Sequence, residues 1–168
     1  MGSPRGKSRK TTIPEENQNS PEPSVEGKAD KWSQIKYFTP REFTCKCMGL
    51  CDHEDVISSD LVMKLDKIRE LVGIPITILS GTRCERHNRK VGGRMRSSHI
   101  PKDKVSHGVD IRCPDSGFRF AFLAAALPIF SRIGIGKDFI HVDDDPLLPV
   151  NQIWIYDPSS LADQLETR

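Results

Sequence analysis

No run of apolar side chains in this 168-residue chain approaches the ~20 residues that a membrane-spanning helix needs, so insertion into a bilayer is not expected. The N-terminal stretch "MGSPRGKSRKTTIPEENQNSPEPSVEGKAD" has basic residues but no apolar segment behind them, so no secretory signal is expected there. Synthesis in the cytoplasm is expected, and work anywhere else would need another route of release. A dominant charge sign is also missing. Lys and Arg number 25 against 23 Asp and Glu, a net +2, so the molecule as a whole is not expected to bind polyanions by charge alone. Basic residues do cluster, at Arg5, Lys7, Arg9 and Lys10 and again at Arg86, Arg89, Lys90, Arg94 and Arg96. Aromatics make up only 7% and none interleaves with these clusters, which therefore read as solvated faces, with no nucleic-acid partner expected. Cysteine is scarce and odd in number: Cys45, Cys47, Cys51, Cys84 and Cys113. An odd set without a signal argues against a secreted disulfide framework and for buried thiols or a metal site.

The composition changes once along the chain. Residues 1–31 are rich in Ser, Pro, Glu, Lys and Asn and cannot bury enough surface to offset their ordering entropy, so a disordered polar tail is expected. One domain should span 32–157, with 158–168 a flexible C-terminal tail. Within it, "SSDLVMKLDKIRELVG" is a helix capped by Ser58 or Ser59, with Leu61, Val62, Leu65, Ile68, Leu71 and Val72 as its apolar stripe and Gly73 at its end. "PITIL" is a strand, "SGTR" a turn, and "CERHNRKVGG" a short helix closed by glycines. "GVDIRC" is a second strand, and "SGFRFAFLAAALP" a buried helix stopped at Pro128. "RIGIG", "FIHVD" and "QIWIY" are three short strands expected to form an antiparallel meander. Helices and strands segregate, so the class is α+β: a small antiparallel sheet with helices packed on it.

Chemistry concentrates in "SSHIPKDKVSHGVDI" and "FIHVD". A catalytic zinc takes three protein ligands and keeps a fourth position for water. His99, His107, Asp110 and His141 are the candidates. Asp110 and His141 have strand-like flanks, and a strand holds its side chains rigidly on one face. A carboxylate between Val109 and Ile111 is costly to bury unless it is paired or metal-bound. Asp138 and Asp143 flank His141, Asp143 on the same strand face.

The ordered set Ser80, Gly81 and Arg83, then His87 and Asn88, then Gly92 and Gly93, then Ser97, His99 and Asp110, then His141 and Asp143 resembles the zinc D-Ala-D-Ala carboxypeptidase family. Its fold is shared by the hedgehog signalling domain, and the likeness is to the bacterial and phage branch, over about residues 37–145. The resemblance implies a hedgehog-like or DD-peptidase-like domain with one zinc on His99, Asp110 and His141. It also implies a general base at Asp138 or Asp143, with Asp138 preferred as the acid of an acid-x-x-His pattern. Arg83 would bind a substrate carbonyl or carboxylate. One departure is visible. Ten residues separate His99 from Asp110 where the family has six, which places an insertion in "IPKDKV", a polar loop where insertions cost little. His107 falls at a variable position of the pattern and, as a strand neighbour of Asp110, should point away; His99 is preferred as ligand.

Function follows as implied by the resemblance. The expectation is a zinc metallopeptidase, D-Ala-D-Ala carboxypeptidase-like or a murein endopeptidase, cutting peptidoglycan stem or cross-link peptides as a monomer. It would act at the cell wall after release, or from a phage particle. The alternative is a non-catalytic zinc-containing binding or phage-structural module on the same fold. "CKCMGLCDH" offers Cys45, Cys47, Cys51 and His53 to a second, structural zinc, with Cys84 as a spatial neighbour, but its spacing is not one of the well-attested zinc patterns. Buried thiols or a Cys–Cys pair is the preferred reading there.

Overall fold

A computed structural model of the chain describes residues 1–2, 31–49, 51 and 56–156. Nearly all of the two expected tails, and His53, therefore lie outside the described residues. A 3-10 turn at Lys31–Gln34 is followed by helices α1 (Pro40–Phe43) and α2 (Ser59–Val72), strand β1 (Ile78–Ser80) and helix α3 (Glu85–Lys90). Strand β2 (Gly108–Arg112), helix α4 (Ser116–Ala126) and strands β3 (Arg132–Ile135), β4 (Phe139–Asp143) and β5 (Gln152–Ile155) complete the domain. The class is α+β, with one five-stranded, mostly antiparallel sheet in the order β1-β2-β4-β3-β5.

Helix α2 starts where Ser58 accepts a hydrogen bond from the Leu61 N–H at 3.3 Å and ends at left-handed Gly73. Its buried stripe is Leu61, Val62, Leu65 and Ile68, with Val72 half-buried; Leu71 was expected in that stripe but is exposed. Helix α4 is capped by Asp115 and buries Phe118, Phe122 and Ala126, one residue per turn. Phe120 is 77% exposed, so α4 has one buried face and is not buried all round as its composition suggested. Both helices join Val109, Ile111, Ile133, Ile140 and Val142 of the sheet in a single core. Strand alternation then sends the intervening residues to the opposite face.

The strand order differs from the expected meander. Strand β4 pairs with β2 on one edge, Asp110 opposite His141, and with β3 on the other, Gly134 opposite His141. Both edges of β4 are thus taken, so β5 crosses to the far side of β3 and runs parallel to it, Trp154 beside Gly134. One cross-strand row results: Ser80, Asp110, His141, Gly134 and Trp154.

The inserted loop is ordered. Lys102 and Val105 exchange backbone hydrogen bonds at 2.8 and 2.9 Å around Asp103 and Lys104, both left-handed, as in a two-residue hairpin. The Lys102 ammonium pairs with buried Asp145, tying this hairpin to the segment that leaves β4.

Candidate metal centre

Two strands and one loop build the site. Asp110 and His141 face each other across β2 and β4. His99 arrives from the 97–99 segment, which lies directly over Gly108: a Cβ there would sit 2.4 Å from Ser98 Oγ and 3.1 Å from the His99 nitrogen. A side chain at 108 would press on this crossing, which brings His99 above the sheet. His99 Nε2 is 3.2 Å from Asp110 Oδ1 and 3.2 Å from His141 Nδ1, and His141 Nδ1 is 2.8 Å from Asp110 Oδ1. The three donor atoms form a tight triangle, with both histidines 3% exposed.

This donor set fits a zinc ion. Each imidazole spends its other nitrogen on an oxygen acceptor. His99 Nδ1–H donates to the Gly81 carbonyl at 2.6 Å, and His141 Nε2–H to Asp143 Oδ2 at 3.0 Å. Each ring so held turns a lone pair toward the same point, as in carboxylate–histidine–zinc arrangements. Arg83 binds Asp110 Oδ2 through Nη2 and donates Nε–H to Ser80 Oγ at 2.7 Å, leaving Oδ1 on the histidine side. Asp143 in turn accepts from Arg132 Nε at 2.7 Å, and the Arg132 guanidinium lies 5.2 Å from the Trp154 ring centroid.

The charges follow from these contacts. Burial opposes ionisation of Asp110, but His99 and His141 outweigh it and hold the carboxyl below the usual carboxylate range. Asp143 is likewise lowered against burial by His141 and Arg132. Burial lowers His99, whose single carboxylate partner does not compensate. His141 lies between two carboxylates that overcome its burial and raise its pKa.

The site forms the floor of a cleft of ≈ 1330 Å³. Phe139, Trp154 and Tyr156 line it on one side, and Arg94, Arg96 and Ser97 on another. Gly134 makes the aromatic side feasible, because a Cβ there would meet Tyr156 at 2.5 Å and Trp154 at 2.7 Å. The Trp154 and Tyr156 rings stand 5.6 and 6.2 Å from the His141 ring. Burial, with Asp110 next, pushes the Tyr156 phenol up to about 12, so it stays a proton donor.

The structure thus brings together His99, Asp110, His141, Asp143 and Arg83. His107 stands apart, bonded through Nδ1 to Asp144 at 2.9 Å. Asp138 also stands apart, on the exposed turn before β4 and outside the residues lining the cleft. Sequence reasoning missed Ser98, Arg132, Trp154 and Tyr156; only the aromatic alternation of "QIWIY" marked any of them.

A family model for peptidase M15 matches residues 36–143, which cover the core, β1 to β4 and all three histidine and aspartate donors. The chain belongs to the peptidase M15 family. This is a zinc D-Ala-D-Ala carboxypeptidase-like family of metallopeptidases, which implies a zinc peptidase acting on peptidoglycan peptides. A comparison with curated proteins found no match. No described helix is long and apolar enough to cross a membrane.

Proposed function

We propose that this M15 chain is a zinc-dependent hydrolase of peptidoglycan stem or cross-link peptides, with His99, Asp110 and His141 as the metal ligands. The observation that carries this is the triangle of donor atoms on the cleft floor, each histidine held by its own oxygen acceptor. A zinc held by His99, Asp110 and His141 would supply a water of pKa about 7 and Lewis-acid polarisation of the scissile carbonyl. Arg83 holds the Asp110 carboxylate in register and offers its guanidinium to a substrate carboxylate or carbonyl on the cleft wall. The neutral Tyr156 phenol, also on the cleft lining, is available to donate to the substrate. Arg94 and Arg96 line the cleft and suit the free carboxylates of stem peptides. At ≈ 1330 Å³ the cleft is larger than the ~300–1,000 Å³ of small-molecule pockets and has room for a peptide. The protein would act as a monomer at the cell wall after release, or from a phage particle, without a nucleic-acid partner.

Asp143 takes the role of a positioning residue. Its Oδ2 serves His141 and its Oδ1 serves Arg132 and, at 3.3 Å, the Asp145 N–H. Asp138, outside the residues lining the cleft, is given no role in this reading. This occupancy of Asp143 favours one second reading, a zinc-containing binding module on the same fold, because the cleft-lining carboxylates are Asp110 and Asp143 and both are engaged.

Zinc content and release of free amines from purified peptidoglycan, measured on the wild type and three variants, separate the readings. Hydrolysis that disappears together with cleft zinc in His99→Ala and His141→Ala, but persists in His107→Ala, is expected for the peptidase. Zinc bound in the cleft without hydrolysis of any stem or cross-link peptide would establish the binding module. A cleft without zinc would overturn both.

A further inference from the structure

Away from the cleft lies a second convergence of metal-ligating atoms. The Sγ atoms of Cys45, Cys47, Cys51 and Cys84 all lie within 4.8 Å of one another. Three come from the loop after α1 and the fourth from the start of α3, more than thirty positions further along the chain. The fold brings the two stretches together. The Thr82 N–H donates to the Phe43 carbonyl at 2.8 Å, and a Cβ on Gly81 would lie 2.6 Å from that same oxygen, so only glycine allows the backbones to touch. Between Cys47 and Cys51, Met48 (φ 59) and Gly49 (φ 79) are both left-handed. The chain therefore reverses and returns Cys51 to the cluster, through a conformation that disfavours a side chain such as that of Met48.

We propose that Cys45, Cys47, Cys51 and Cys84 hold one structural zinc ion as a closed tetrathiolate site. A tetrahedron with Zn–S bonds of about 2.3 Å has S···S edges of about 3.8 Å. The Cys47 and Cys51 sulfurs stand 3.2 Å apart and no pair in the cluster exceeds 4.8 Å, which is compatible with that edge. A disulfide between Cys47 and Cys51 would account for two of these sulfurs and leave the approach of the other two without a purpose. Donors also point at the sulfurs, as they do around metal-bound thiolates. The Cys84 N–H donates to Cys45 Sγ at 3.3 Å, the His87 N–H to Cys84 Sγ at 3.3 Å, and His87 Nδ1 stands 3.4 Å from Cys45 Sγ. Cys113 is outside this set, bonded by Arg119 Nε at 3.2 Å. The unfamiliar spacing that argued against such a site in the linear chain loses its force, because the fourth ligand comes from a different element.

The placement ties the two centres together. Residues 81–84 run from one to the other: the Gly81 carbonyl holds His99, the Arg83 N–H donates to the His99 carbonyl at 2.8 Å, the Arg83 guanidinium holds Asp110, and Cys84 ends in the thiolate cluster. The ion would clamp this segment to the loop after α1. The assignment does not depend on the chemistry in the cleft.

The test uses the full chain, purified under reducing conditions with zinc, and reads bound metal by elemental mass spectrometry and by cobalt substitution. About two zinc ions per chain are expected in the wild type and about one in His141→Ala, in Cys47→Ser and in Cys51→Ser. Cobalt-loaded His141→Ala should retain the thiolate-to-cobalt charge-transfer band, and Cys47→Ser should lose it. Should the cysteine variants fail to fold, mercurial titration of the wild type should release one equivalent of zinc as the cluster sulfurs react. If the cleft holds no metal, the wild type would still carry one thiolate-bound ion, so the two assignments fail separately. A His141→Ala protein without zinc or charge-transfer band would overturn the proposal. So would an intact wild-type mass two hydrogens short, the mark of a disulfide.

Discussion

Replacing Asp143 by asparagine removes one charge and almost no volume, yet the hydrogen bonds around this side chain assign it a large effect. One oxygen accepts from His141 Nε2 at 3.0 Å and the other from Arg132 Nε at 2.7 Å. Asparagine has a single oxygen. If that oxygen stays on Arg132, the bond to a charged donor, the amide NH2 faces His141 Nε2 and favours the ring proton on Nδ1, the nitrogen that points at the metal position, against the weaker acceptor Ser98 Oγ at 3.3 Å. If the amide flips, its NH2 meets the guanidinium in a buried site. Either way a pairing is lost, and the first outcome also blocks a metal ligand. Removing such a partner typically lowers metal affinity 10–100-fold, about 1.4–2.7 kcal/mol. The upper end of that range is expected here because Arg132 competes for the remaining oxygen. Competition against a chromophoric chelator near neutral pH measures it, with Arg132→Gln, Asp143→Asn and the double variant closing a thermodynamic cycle. An Asp143→Asn protein that binds zinc within about threefold of the wild type would refute the tautomer argument.

Gly108→Ala should cost about 1–3 kcal/mol in urea unfolding and weaken zinc binding, since its Cβ would press on Ser98 and on the His99 backbone; wild-type zinc affinity would show that this crossing does not position His99. Asp138→Asn should leave peptidoglycan hydrolysis within about twofold, because the residue lies outside the cleft lining, and a tenfold loss would return it to the reaction. In zinc-free protein, the raised pKa of His141 contributes stability that is complete below the unfolded value of about 6.5 and is lost as pH rises through the folded value. Asp110 and Asp143, both lowered, contribute stability above about 3.9 that is lost as pH falls through their folded values. Zinc must displace the His141 proton, so its affinity should rise about tenfold per pH unit until that pKa is passed; a flat profile between about pH 5 and 7 in the chelator assay would contradict the assignment.

Much of this protein was legible in the linear chain. Apolar period, a cap at Ser58 or Ser59 and Gly73 bounded α2 to within one residue at its start and to the residue at its end, since capping and periodicity are local properties. The alternation in "GVDI" and "FIHVD" placed Asp110 and His141 on the polar sides of two strands, and the ordered motif set carried the family. The tertiary structure decided what depends on partners distant in sequence. Leu71 and Phe120 are exposed because helix faces are chosen by what packs against them, not by composition. Strand β5 lies beside β3 because both edges of β4 were already occupied, and that parallel pairing set Trp154 and Tyr156 beside His141. The different surroundings of Asp138 and Asp143 are likewise tertiary: one lies on an exposed turn, the other 3.0 Å from a histidine nitrogen. The cysteines show the division most plainly. Their number and types are in the chain, but four sulfurs within 4.8 Å exist only because Gly81 lets the backbone of one loop rest against that of another.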